Sequence, residues 1–437
     1  MYIKKIVLKN IRCFKDIEIS YDLSGDVPPW TVIVGDNAAG KTTLLRSIAI
    51  GLCDESNAAG LMKESDSGYV RDGEKEGKII IDLSEENNNY RIETTIKHIK
   101  TKNGYFERVR QKTTPSEFPW DNLFVAGYGA GRGTSGTGDI AGYSVINAVY
   151  NMFNYTEGLQ NPELTIRRFK NVNTQNEVKR ILKELLDIKN IDLQKSGITI
   201  DGKWGKKMPL RDLADGYKST FLWITDFLGW AVSFNPRIRK GASSKGIILI
   251  DEIEQHLHPK WQKEIIEQIK KQFPQSQFIT TTHSPLVASS FGTLTQKDID
   301  KRILLSLSPN EGVLKEELPP MIGWRVDRIL ASKAFEYQIT GESDEVDELL
   351  FEASKLAGMK IRNKQENERY LKIKQKIALA RLSERQTKTE DEIDRQVTKY
   401  LIGQIKQKEK NIFGEVNDKN IPSRTTPKAF VKRAAKK

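Results

Sequence analysis

Residues 31 to 42 read Thr-Val-Ile-Val-Gly-Asp-Asn-Ala-Ala-Gly-Lys-Thr, an apolar run feeding Gly35, four residues, then Gly40, Lys41 and Thr42. Glycines at these positions let backbone N–H groups turn inward around phosphates, with Asp36 and Asn37 forming the bend. Lys41 has the length to reach β and γ phosphates, and the Thr42 hydroxyl is a hard oxygen ligand for Mg²⁺. Thr43-Leu-Leu-Arg-Ser-Ile-Ala-Ile continues as a helix whose N-terminus faces the anion. A strand, a phosphate loop and a helix in this order demand an α/β core with the loop at the carboxyl edge of a parallel sheet.

Two later segments fit such an edge. Gly246-Ile-Ile-Leu-Ile-Asp-Glu252 is a buried apolar strand ending in two carboxylates, the Walker B pattern. Asp251 suits the Mg²⁺ shell, and Glu252 suits orienting or deprotonating an attacking water. A helix over 260–273 is expected next, and then the strand Gln277-Phe-Ile-Thr-Thr-Thr282, which runs into His283. A histidine at the carboxyl end of a core strand is placed to donate to the γ-phosphate. Lys41, Glu252 and His283 are the candidate catalytic residues.

Between these motifs the reading is coarser. Alternation over residues 2–10 and 11–19 predicts a hairpin, and over 78–83 and 90–98 more antiparallel sheet around an Asn-rich turn. Seven glycines fall within Gly127 to Gly142, and Gly131 to Gly136 matches G-x-G-x-x-G. No helix begins where that fingerprint needs one, so a flexible loop is expected, with Arg132 as a phosphate or inter-subunit contact. A single helix is expected over 163–190, its apolar stripe formed by Val178, Ile181, Leu182, Leu185 and Leu186. Leu213-Ala-Asp-Gly-Tyr217 ends a loop on a glycine at a helix N-terminus, a second anion-binding device.

The order phosphate loop, Leu-Ala-Asp-Gly-Tyr, Ile-Leu-Ile-Asp-Glu, Thr-His-Ser-Pro resembles the ABC-type ATPase heads of the SMC and RecF group. The compact bacterial defence and OLD ATPases are also similar, through Leu8-Lys-Asn-Ile-Arg-Cys-Phe14 and Asp-Glu-Ile-Glu-Gln-His-Leu-His-Pro. The resemblance implies an α/β P-loop NTPase head over residues 1–315, carrying an antiparallel β lobe and the glycine-rich loop within 78–142. Gly35, Asp36, Asn37, Gly40, Lys41, Thr42 and Thr43 would bind ATP, with Arg12 touching the nucleotide and Thr42 and Asp251 holding Mg²⁺. Leu213, Ala214, Asp215, Gly216 and Tyr217 occupy the place of the signature, which in such heads reaches the phosphate bound by a facing subunit. Within one chain that segment has no evident use. Ala214 departs from the usual serine, which implies slow or triggered hydrolysis. No Q-loop glutamine is assigned. The interval before the signature has no sustained heptads, which excludes a long coiled-coil arm.

From Gly323-Trp-Arg-Val-Asp-Arg-Ile-Leu330 onward the composition turns to charged helix, over 320–405, and then to a basic tail over 406–437. Residues 321–437 hold 26 Lys/Arg against 18 Asp/Glu, so this quarter supplies +8 of the net +12 and suits nucleic acid or an acidic protein surface. The same region resembles the end of the Septu antiphage ATPase subunit, the partner of an HNH nuclease. That resemblance implies a defence ATPase forming a head-to-head dimer, with no nuclease chemistry of its own. A RecF-like repair clamp on duplex DNA and an ATP-binding scaffold without appreciable turnover are the alternatives. No apolar run reaches the ~20 residues of a membrane span, and two cysteines in apolar surroundings fit a reduced, cytoplasmic setting.

Overall fold

The structure is a computed structural model that describes residues 1–21, 30–65, 67–86, 88–101, 104–132, 136, 142–156, 158–169, 171–195, 197–235, 245–290, 302–308 and 314–318, with 321, 329, 332, 335, 352, 369–373 and 376. The chain divides into two compact units, residues 1–339 and 340–437. In the second, Arg369 pairs with Glu352. Of the expected helical region over 320–405 only 321, 329, 332, 335, 352, 369–373 and 376 are described, 369–373 as helix; the basic tail and most of the stretch 133–141 of the glycine-rich loop lie outside the described residues.

β1 (Tyr2–Ile11) and β2 (Phe14–Ser20) form the expected antiparallel hairpin. β3 (Trp30–Gly35) leads into α1 (Lys41–Gly51) and α2 (Glu55–Lys63). β4 (Glu76–Glu85), β5 (Asn88–Thr101) and β6 (Gly104–Thr114) then extend the hairpin into a sheet of order β2-β1-β4-β5-β6. Its inner face buries Ile79, Ile81, Leu83, Ile92 and Ile96, while Lys78 meets Glu93 at 3.0 Å and Arg91 meets Asp82 at 2.6 Å outside. Period-two alternation therefore decides which side of the lobe packs.

β7 (Val125–Tyr128), α3 (Val145–Val149), α4 (Pro162–Arg168) and α5 (Val172–Leu186) follow. The single helix expected over 163–190 is thus two helices. Asn161 caps α4 and Asn171 caps α5, each side chain accepting N–H bonds from the first turn, so the second cap interrupts the run. The stripe from Val178 to Leu186 is buried as its spacing requires. β8 (Asn190–Gln194), β9 (Gly197–Gly202) and β10 (Gly205–Pro209) make a small antiparallel meander before α6 (Asp215–Phe234). Every residue of α6 from Ser219 to Ala231 is buried, which makes it the central helix of its layer.

β11 (Gly246–Ile250), α7 (Pro259–Gln262), α8 (Ile265–Gln272), β12 (Ser276–Thr281), α9 (Pro285–Ser290), β13 (Arg302–Ser308) and β14 (Leu314–Leu318) complete the unit. The helix expected over 260–273 is also split. Gln262 ties its first turn down, donating to the Leu257 carbonyl at 2.9 Å and accepting from the Ser284 hydroxyl at 2.6 Å.

The central sheet has the order β14-β13-β3-β12-β11-β7, all parallel except β14. Val32, Val34, Ile248 and Ile250 enter one apolar core with α5, α6 and α8, whereas Ile33, Ile247, Leu249 and Ile279 enter a second with α1 and the antiparallel lobe. Helices on one face and the lobe on the other bury both sides of the parallel strands. The carboxyl ends of β7, β11, β12, β3 and β13 consequently open on one common edge.

Candidate nucleotide site

That edge gathers the sequence motifs. The loop from Gly35 to Gly40 joins β3 to α1, and Gly40 is glycine for two reasons. Its φ is +94°, and a Cβ there would lie 2.5 Å from Cys13 Sγ and 2.9 Å from Phe14 Cζ. Lys41 is buried, its Nζ donating to the carbonyls of Gly35 at 2.7 Å and Asp36 at 2.8 Å. Burial lowers the pKa of this ammonium, and the charges of Asp251, Glu252, Glu254 and Asp36 work against that.

The Thr42 hydroxyl donates to Asp251 Oδ2 at 2.7 Å, and the Thr281 hydroxyl donates to Asp251 Oδ1 at 2.5 Å. Two hard oxygens, one from the first turn of α1 and one from the end of β11, therefore sit side by side. No cluster of three or more His, Cys, Asp or Glu suited to a metal occurs among the described residues. A small oxygen set of this kind fits Mg²⁺, which keeps most of its shell for water and phosphate oxygens.

Glu252 follows in a left-handed conformation, φ +49°, its N–H donating to Thr281 Oγ1 at 2.8 Å. Glu254 is a site residue that sequence reasoning missed. Its carboxylate accepts from the Thr282 hydroxyl at 2.7 Å and from the His283 N–H at 2.5 Å, which fixes the turn bearing His283. The only sequence signal was a third carboxylate within Asp251-Glu-Ile-Glu254.

Arg132 stands differently from the expectation of an exposed loop contact. Its side chain is 1% exposed and donates to the carbonyls of Gly129, Asp251 and Glu252, at 3.1, 2.6 and 2.6 Å. The loop is pinned here because a buried guanidinium must satisfy its N–H groups on whatever acceptors surround it. Burial lowers its pKa to about 10, with Glu254, Asp251 and Glu252 opposing, so it stays charged near neutrality. Arg12 is also held away from open solution. Its guanidinium donates to the carbonyls of Gly68 and Ser67 and to Ser65 Oγ, and lies 4.0 Å over the Tyr69 ring.

The segment Leu213–Tyr217 has intramolecular contacts that correct the view of it as useless within one chain. The helix begins at Asp215, so Gly216 lies in its first turn and does not end the preceding loop. Ala214 and Asp215 are exposed, Ala214 making no side-chain cap. A Cβ on Gly216 would come 2.3 Å from the His256 carbonyl oxygen. The Tyr217 ring sits edge-on to Trp204 at 4.6 Å and to Trp261 at 4.3 Å. The segment therefore packs against the turn that follows Glu252. Deeper in α6, Asp226 accepts from the Tyr128 hydroxyl and from the Gln160 N–H, both at 2.9 Å. Burial raises the Asp226 pKa to about 6 in spite of these bonds. The backbone carbonyl of the same Tyr128 receives the Asp251 N–H at 2.8 Å.

Family models match in two blocks: an "AAA ATPase domain" over residues 1–118 and an "AAA domain, putative AbiEii toxin, Type IV TA system" over residues 143–289. A Septu protein PtuA from Bacillus mycoides is 29% identical over 339 residues, covering 76% of this chain and 45% of that protein. The chain is therefore similar to AAA-type ATPase domains and to a Septu protein. It is also similar to the Retron Vc95 probable ATPase of Vibrio cholerae, 31% identical over 36% of this chain and 29% of that one. It thus spans less than half the length of these two curated relatives. An SMC head domain from Thermotoga maritima aligns at a TM-score of 0.42 with 14% identity, over 73% of this chain and 99% of that one, a likeness too distant to add to the topology above. No described helix is long and apolar enough to cross a membrane.

Proposed function

We propose that the chain is the ATP-hydrolysing regulatory subunit of a cytoplasmic bacterial antiphage defence complex. The observation that carries this reading is the meeting of Lys41, Thr42, Asp251, Glu252 and His283 on one sheet edge, in a chain related to Septu and retron ATPases. Gly35 to Gly40 offers backbone N–H groups to the phosphates, and Lys41 and Thr43 support them. Thr42 and Asp251 would hold Mg²⁺, which would supply positive charge to neutralise the phosphates. Glu252 orients the water and takes its proton, and His283 donates to the γ-phosphate.

Two heads sandwich ATP, the exposed Ala214 and Asp215 of one chain facing the phosphates on the other. The absent hydroxyl at Ala214 makes turnover slow or trigger-dependent. The nucleotide state controls a partner HNH nuclease docked through residues 320–405. Glu252→Gln tests the reading: ATP binding persists, multiple-turnover hydrolysis falls at least a hundredfold, and the head dimer becomes the major species by light scattering. Normal turnover by this variant defeats the catalytic assignment.

A further inference from the structure

Arg132 does more than fill space. In an extended strand, successive carbonyls point to opposite sides, so a single side chain cannot reach both. The carbonyls of Asp251 and Glu252 nevertheless each accept from Arg132 at 2.6 Å, through Nη1 and Nη2. The left-handed φ of +49° at Glu252 turns the backbone just past the end of β11 and lets the two oxygens face the same fork. An unbranched residue other than glycine resists that conformation, so something must hold it there.

The surrounding bonds do hold it. Asp251 N–H donates to the Tyr128 carbonyl at 2.8 Å, Ile253 N–H to the Thr281 carbonyl at 3.0 Å, and Gln255 N–H to the Glu252 carbonyl at 2.9 Å. Glu252 N–H donates to Thr281 Oγ1 at 2.8 Å. Arg132 adds a charged side-chain donor to this set, and it also grips its own loop through the Gly129 carbonyl at 3.1 Å. Its Nε is buried and donates to no group among the described residues. A buried cation with an unpaired N–H is a poor device for stability, because desolvation is repaid only when all donors are met. Strain kept in place by several bonds next to a reactive carboxylate is the pattern of a preorganised site.

We propose that Arg132 is a positioning residue: its planar fork sets the turn that aims the Glu252 carboxylate at the attacking water. This rests on the ATPase reading and deepens it. A lysine at 132 retains the charge, but its point-like ammonium cannot span two carbonyls in a fixed plane. A glutamine retains one donor group and no charge.

Arg132→Lys is expected to fold, to bind a fluorescent ATP analogue within threefold of the native affinity, and to lose kcat by at least tenfold with KM little changed. The decisive reading is a double-mutant cycle, measured as single-turnover phosphate release. If Arg132 acts through Glu252, Arg132→Lys slows the native protein but produces no further loss on top of Glu252→Gln. Losses that multiply, or an Arg132→Lys protein with native kcat, overturn the proposal. Should the lysine variant fail to fold, Arg132→Gln is put through the same cycle with the same two outcomes. A native protein without turnover, or a fully active Glu252→Gln, defeats the ATPase reading itself. Native turnover that Glu252→Gln abolishes and Arg132→Lys leaves intact defeats only the role of Arg132.

Discussion

Replacing Asp226 by asparagine removes one buried charge and turns one acceptor oxygen into a donor amide beside Tyr128, Gln160 and Trp230. The native carboxyl lies wholly inside the protein between Tyr128 and Gln160, and burial moves its pKa from the ordinary 3.8 to about 6. A carboxyl with a folded pKa above its unfolded one binds its proton more tightly in the native state. Its stabilising effect is complete below pH 3.8 and is lost as pH rises through about 6. A shift of this size corresponds to about 3 kcal/mol between the two ends of that window. Asparagine keeps an acceptor for the Gln160 N–H, and its amide can donate to a Tyr128 hydroxyl that rotates to accept. It has no charge to lose. The stability of Asp226→Asn relative to the native chain should therefore rise by about 2 to 2.5 kcal/mol from pH 4 to pH 8, in the variant's favour at the upper end. Urea titrations at several pH values, followed by tryptophan fluorescence from Trp223 and Trp230 on the same helix, read this directly. Parallel stability profiles for the two proteins between pH 4 and pH 8 would refute the reasoning.

Two other substitutions probe the edge of the sheet. Gly40→Ala meets both a φ of +94° and an overlap with Cys13 Sγ at 2.5 Å, and should weaken ATP binding at least tenfold, about 1.4 kcal/mol, in a nucleotide titration. Gly216→Ala drives a Cβ to 2.3 Å from the backbone oxygen of His256, so the start of α6 must shift. ATP affinity of the isolated head should stay within about threefold, less than 1 kcal/mol, while ATP-dependent dimerisation and turnover are lost; unchanged turnover would mean that the segment serves only packing.

The phosphate loop, the paired carboxylates and the strand before His283 were legible because each is a short local pattern whose geometry is fixed by its own residues. Alternation gave the lobe for the same reason. Arg132 was not legible, since it bonds to backbone carbonyls of Asp251 and Glu252, 119 and 120 positions away, and a carbonyl leaves no trace in residue identity. The packing of Tyr217 was hidden because Trp204 and Trp261 come from two other elements. The split at Asn171 could have been read from its capping side chain, but the apolar stripe, which continues the helical period, spoke louder.

The sheet order has a consequence for how the protein is made. β3 lies between β12 and β13, neither of which begins before residue 276, and the residues that precede β12 supply almost everything else in the unit. On a ribosome adding ~5–20 residues per second, β3 waits roughly 10–50 s for its neighbours. During that interval a strand rich in valine and isoleucine has no permanent partner on either side, while the antiparallel lobe, local in sequence, can already assemble around it. Non-local pairing of this kind slows folding and leaves strand edges open. The phosphate loop is therefore synthesised well before the strands that fix its shape.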